Sequence, residues 1–69
     1  HMRYLTFSEL TTSALYVASR AGNLETVQLL RRFGADIEWR TTQNGSPLYV
    51  AAEFGRYTVV EYLLSEGAQ

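Results

Sequence analysis

The sequence predicts an all-α solenoid segment made of two copies of a helix-turn-helix unit, and three observations carry that prediction. Ser-Ala-Leu-Tyr-Val-Ala at residues 13–18 returns as Ser-Pro-Leu-Tyr-Val-Ala at residues 46–51, an offset of 33 residues. Extending the pairing to 13–36 against 46–69 makes 10 of 24 pairs identical, where ordinary composition gives about one or two by chance. The identities are Ser13, Leu15, Tyr16, Val17, Ala18, Gly22, Val27, Leu30, Gly34 and Ala35 with their partners. Finally, each copy holds two segments without internal helix breakers, and each segment stops at a glycine, at Gly22 and Gly34 and then at Gly55 and Gly67.

The elements follow in chain order. His1 and Met2 have the form of a restriction-site remnant, although Met2 also suits a native start, and His1 is set aside. Residues 4–12 carry Leu5, Phe7 and Leu10 at irregular spacing, which suits a short helix or an extended arm equally. At the 33-residue offset Tyr4 falls opposite Ile37, so it is placed in the corresponding pocket at the start of the array. Ser13 is a good N-cap, and the first helix is predicted over roughly 14–20, closed by Gly22 in the left-handed conformation. Asn23 then caps a second helix with Glu25 in its first turn. Val27, Leu30 and Phe33 form its apolar stripe.

The second copy repeats the logic. Ser46 caps, Pro47 takes the first helical turn where its missing N–H costs nothing, and Gly55 ends the helix. Val59, Val60, Leu63 and Leu64 line the stripe that follows. Between the copies, Ile37 and Trp39 alternate with polar residues ahead of an Asn44-Gly45 turn signal, which predicts a hairpin-like connection. The division is therefore 1–12 as remnant and capping segment, 13–45 as repeat 1 with its connection, and 46–69 as repeat 2, lacking a following hairpin.

A period near 33 with a small-polar, Pro, Leu, aromatic, x, Ala pattern ahead of two helices resembles the ankyrin repeat. The resemblance covers residues 13–69, and Gly34-Ala35-Asp36-Ile37 matches the segment that leads into that family's β-hairpin. It implies helix pairs that cannot bury their apolar faces alone and so stack into a quasi-one-dimensional array, with Ala18, Ala51 and Ala52 small where helices of neighbouring repeats approach. Several residues depart from the family pattern. Tyr16 and Tyr49 stand where a His usually follows Pro-Leu. Arg31 lies opposite Leu64 at a normally buried aliphatic position, and Ser19 replaces the usual second Ala. Such polar residues suit a terminal repeat whose outer face meets water. Ser19-Arg20-Ala21-Gly22 also resembles what first repeats often carry.

Composition narrows the function. A chain of 69 residues buries only about 60% of the surface its unfolded form exposes, so it needs efficient packing or outside support. Cysteine is absent, which removes disulfides and thiolate metal sites, and neither a metal nor a cofactor is expected. No apolar run approaches the roughly 20 residues of a membrane span, and no leader pattern is present, so the reading is an intracellular protein that does not engage a membrane. The net charge of −1 gives no field to attract nucleic acid. All six cations are Arg and none is Lys, which favours bidentate and stacking contacts.

No catalytic set emerges. The single histidine is residue 1, so Ser-His and Cys-His pairs cannot form. Glu25, Glu53, Glu61 and Glu66 fall on predicted helix surfaces as solvated charge. Asn44-Gly45-Ser46 fits a glycosylation triplet, but a turn explains it in an intracellular chain. The expectation is a non-enzymatic protein-interaction module that takes a protein or peptide on the concave side.

Carried over from the family by position, Arg40, Thr42, Gln43 and Gly45 are hairpin-side contact positions. Arg20 and Ala21, with Glu53 and Phe54, match the variable pair at the end of each first helix. Trp39 beside Arg40 joins the two residue types most enriched at binding hot spots, although covering the hairpin's own apolar edge explains Trp39 equally well. Phe54 lies outside the apolar stripe and is assigned to contact. Tyr57 and Tyr62 are assigned to packing. The alternatives are self-assembly through exposed repeat ends, since two repeats fall short of the roughly three needed for independent stability, and a targeting portion of a larger multidomain protein.

Overall fold

The computed structural model describes residues 4–40 and 45–69. Among the described residues four helices follow one another: α1 (Phe7–Ala21), α2 (Leu24–Arg32), α3 (Pro47–Glu53) and α4 (Tyr57–Ser65). Helices α1 and α2 form one antiparallel pair and α3 and α4 the other; α3 packs on α1 and α4 on α2. Leu15, Ala18, Val27, Ala35, Ile37, Ala51, Val59, Leu63 and Ala68 make one continuous core between the pairs.

The internal repeat is reproduced bond for bond. The Asn23 amide donates to the Ala18 carbonyl at 3.0 Å, and its counterpart Arg56 donates to Ala51 at 2.8 Å. The Ala35 amide donates to Leu30 at 3.1 Å, and Ala68 donates to Leu63 at 3.0 Å. Each bond closes the turn after a helix and satisfies a carbonyl that the helix itself leaves unpaired. Gly22 at φ 80° and Gly55 at φ 71° occupy the left-handed region that these closures require.

Two caps act as the sequence predicts. The Asn23 side chain accepts from the Thr26 amide at 3.2 Å, and the Ser46 hydroxyl accepts from the Tyr49 amide at 3.3 Å. Pro47 opens α3. The first helix is the main departure, because it begins at Phe7 and Ser13 lies exposed in its middle. Its start is fixed by a reciprocal capping box. The Thr6 hydroxyl accepts from the Glu9 amide at 3.0 Å while the Glu9 carboxylate accepts from the Thr6 amide at 3.4 Å. Nothing between Glu9 and Ser13 breaks the helix, and Thr11 Oγ1 bonds back to the Ser8 carbonyl at 3.0 Å. Residues 7–12 are therefore helix rather than an extended arm.

Other expectations are corrected by burial. Tyr4 is 84% exposed and does not fill a pocket like that of Ile37, which is buried. Phe33 lies beyond the end of α2, exposed, with its ring edge-on to Phe7 at 6.4 Å between centroids. Tyr57 is exposed rather than packed, whereas Tyr62 does pack against the core. Ala52 is exposed, so only Ala18 and Ala51 sit where the helix pairs meet. Ser19 does not face water. It is fully buried, and its hydroxyl has no hydrogen-bond partner among the described residues. Arg31 is half-buried; it donates to the Ala35 carbonyl at 3.3 Å, and its Nε stands 3.4 Å from Glu66 Oε1 as an ion pair.

In the described part of the connection the backbone turns at residues 36–39, and Gly45 forms a β-bridge. The Asp36 carboxylate accepts from the Glu38 amide at 2.9 Å, and the Asp36 carbonyl accepts from Trp39 at 3.4 Å. This short polar side chain bends the backbone locally. Thr12 Oγ1 accepts from the Asp36 amide at 3.4 Å and ties the connection to α1. Thr42, Gln43 and Asn44 lie outside the described residues.

Candidate partner-binding face

The face is assembled where the last turns of α1 and α3 run side by side. Arg20, one turn after Tyr16 on α1, sets its guanidinium over the Phe54 ring, 5.0 Å from the centroid. A cation over an aromatic face is worth about 0.5–1 kcal/mol at an exposed site, which favours this placement of the side chain about two- to fivefold. The Tyr16 and Trp39 rings meet edge to face, at 6.4 Å between centroids and 83°. Trp39 and Phe54 remain 37% and 45% exposed, so each keeps apolar surface for contact.

Two depressions adjoin this cluster. One of about 340 Å³ is lined by Tyr16, Arg20, Val50, Glu53 and Phe54. The other, of about 360 Å³, is lined by Val17, Arg20, Ala21, Phe54 and Arg56. Arg20 and Phe54 form the wall between them. Arg20, Ala21, Glu53 and Phe54 are thus brought together, and Trp39 joins them through Tyr16. Arg40 is exposed beside Trp39. Gly45 is half-buried, and a Cβ there would come within 2.8 Å of the Tyr49 ring.

Tyr16, Val17, Val50 and Arg56 line the depressions without having been singled out as contact residues. The i, i+4 spacing of Tyr16 and Arg20 was a readable signal for the first, since it puts both on one helix face. Among the described residues no cluster of His, Cys, Asp or Glu has the form of a metal site. No described helix is long and apolar enough to cross a membrane.

Stacked helix pairs with solvent-facing aromatic and Arg side chains define a helical repeat protein. Residues 3–69 match the family described as ankyrin repeats (3 copies), and the chain belongs to the ankyrin repeat family. It is 43% identical over 56 residues to the human protein phosphatase 1 regulatory subunit 27, covering 81% of this chain and 36% of that protein. It is 41% identical over 54 residues to the zebrafish (Danio rerio) Notch-regulated ankyrin repeat-containing protein A, covering 78% of this chain and 48% of the relative. A Caenorhabditis elegans homolog of transient receptor potential cation channel subfamily A member 1 is 36% identical over 61 residues, covering 88% of this chain and 5% of the channel. The chain therefore spans no more than about half the length of these relatives. Ankyrin repeats serve generally as protein-protein interaction modules.

Proposed function

We propose that the chain is a non-enzymatic, intracellular interaction module that binds a protein or peptide across Arg20, Trp39, Arg40, Gln43, Glu53 and Phe54. The observation that carries this reading is the solvent-facing stack of Arg20 on Phe54, next to an equally accessible Trp39. Arg and Trp head the residue types at interface hot spots, and a monomer gains little by leaving large rings half in water. The relatives named as a regulatory subunit and as a Notch-regulated protein accord with a role in recognition. A partner purified after recovery on the immobilised chain is expected to lose about 30-fold or more in affinity when Trp39 and Phe54 are both changed to Ala, since two hot-spot rings are removed. Unchanged affinity, with the helical circular dichroism spectrum retained, excludes the face.

A second reading is self-assembly through the repeat ends, favoured by an inversion of burial across the 33-residue offset. Val17 is 64% exposed while its counterpart Val50 is 1% exposed. In the opposite sense Ser19 is buried and Ala52 is exposed. Each repeat thus has one face for the repeat before it and one for the repeat after it. Tyr57 and Leu64 stand exposed on repeat 2 at positions whose repeat 1 counterparts, Leu24 and Arg31, are half-buried. Light scattering over a hundredfold concentration range separates the readings. A mass that climbs with concentration supports stacking, and a constant 7.8 kDa rejects it.

A further inference from the structure

Arg56 occupies the N-cap of α4 and makes no side-chain cap hydrogen bond there. Its counterpart at the 33-residue offset, Asn23, has nearly the same backbone, φ −85° and ψ 87° against φ −87° and ψ 72°, and does cap. An Arg at this place forgoes a cap and puts positive charge at the positive end of the helix dipole, so local stability disfavours it. Its side chain lies back across Gly22 instead, so close that a Cβ on Gly22 would stand 2.7 Å from Arg56 Cδ. There Arg56 Nε donates to the Arg20 carbonyl at 2.9 Å.

This arrangement fixes Arg56 beside Arg20, whose own guanidinium is held over Phe54. The two cations border the depression of about 360 Å³ whose remaining walls are Val17, Ala21 and Phe54. Among the described residues neither Arg20 nor Arg56 forms an ion pair with a carboxylate; Glu53 lines the neighbouring depression on the other side of Arg20. Two positioned guanidiniums without an acidic partner, against an apolar floor, complement a carboxylate carried next to an apolar side chain. From this geometry we infer that the face takes an acidic-hydrophobic peptide segment, with the Asp or Glu carboxylate between Arg20 and Arg56 and its apolar neighbour on Val17 and Phe54.

The inference rests on the reading of this face as a protein-binding surface, and the experiment separates the two. Phage-displayed random linear dodecapeptides are selected on the full chain. Enriched peptides are then synthesised and titrated against the wild type, Arg20→Gln, Arg56→Asn and Phe54→Ala. The expected result is enrichment of Asp or Glu adjacent to an aliphatic or aromatic residue. Binding should weaken about tenfold in each Arg variant, as for loss of one charge-assisted hydrogen bond, and should weaken with added salt. Asn at position 56 has a working precedent in Asn23, so Arg56→Asn is expected to keep the fold, checked by its thermal midpoint. Peptides that require Phe54 but carry no acid, or that bind both Arg variants as well as the wild type, overturn the acidic site and leave the face intact. Absence of enrichment over the immobilisation tag alone overturns both.

Discussion

Leu63→Ala is expected to leave the chain largely unfolded at 25 °C. Leu63 is completely buried in α4, within the core shared by both helix pairs, and is among the largest side chains that no solvent reaches. Truncating such a Leu removes its transfer free energy and leaves a cavity, together about 3–5 kcal/mol. A single core in a chain below about 70–80 residues rarely supplies more than about 3–5 kcal/mol, so the loss takes essentially the whole margin. The adjacent Leu64 offers a chemically identical control, because its side chain is exposed and Leu64→Ala should change stability by less than about 0.5 kcal/mol. Urea titration followed by helical ellipticity reads both. Equal losses for the two would mean that α4 does not present Leu63 to the core.

Ala51→Leu is the second large effect, and it acts by crowding rather than by loss. Ala51 on α3 is fully buried, and Ala18 on α1 is nearly so, at the place where the two helix pairs come together. Three extra carbons have no free volume to enter, and forcing them in costs about 1–3 kcal/mol or more through shifted helices. Ala52→Leu, one residue further and exposed, is expected to be tolerated. Denaturation midpoints of the pair therefore test the helix packing directly. A tolerated Ala51→Leu would show that α1 and α3 stand further apart than described.

The contrast between Ala51 and Ala52 also shows how far the sequence could be read. Self-similarity identifies positions with the same local conformation, and it located the caps at Asn23 and Ser46 and the closures at Gly22 and Gly55 because these depend on neighbours in the chain. Burial at the repeat ends depends on what lies beyond each repeat, so Ser19 and Ala52 share a register and differ in environment. The two added turns of α1 were hidden for a related reason. At the 33-residue offset Trp39 and Thr42 fall opposite Thr6 and Glu9, so no repeat signal reinforced the Thr6 and Glu9 capping box. In the candidate face, Arg20, Glu53 and Phe54 stood out as variable positions on first helices. Arg56 did not, since its interest lies in what it fails to do as a cap and in its reach back to Arg20.

The order of packing in this small array bears on how it forms. The main helix contacts lie within each pair or between corresponding helices of the two pairs, the latter joining positions about 33 residues apart in the chain. The two halves are also unequally prepared. Both helices of the first pair begin at side-chain caps, at Thr6 and Asn23, whereas α4 begins without one. The first pair thus holds more of the local stabilisation that capped helix starts provide, and α4 depends more on its packing against α3 and α2.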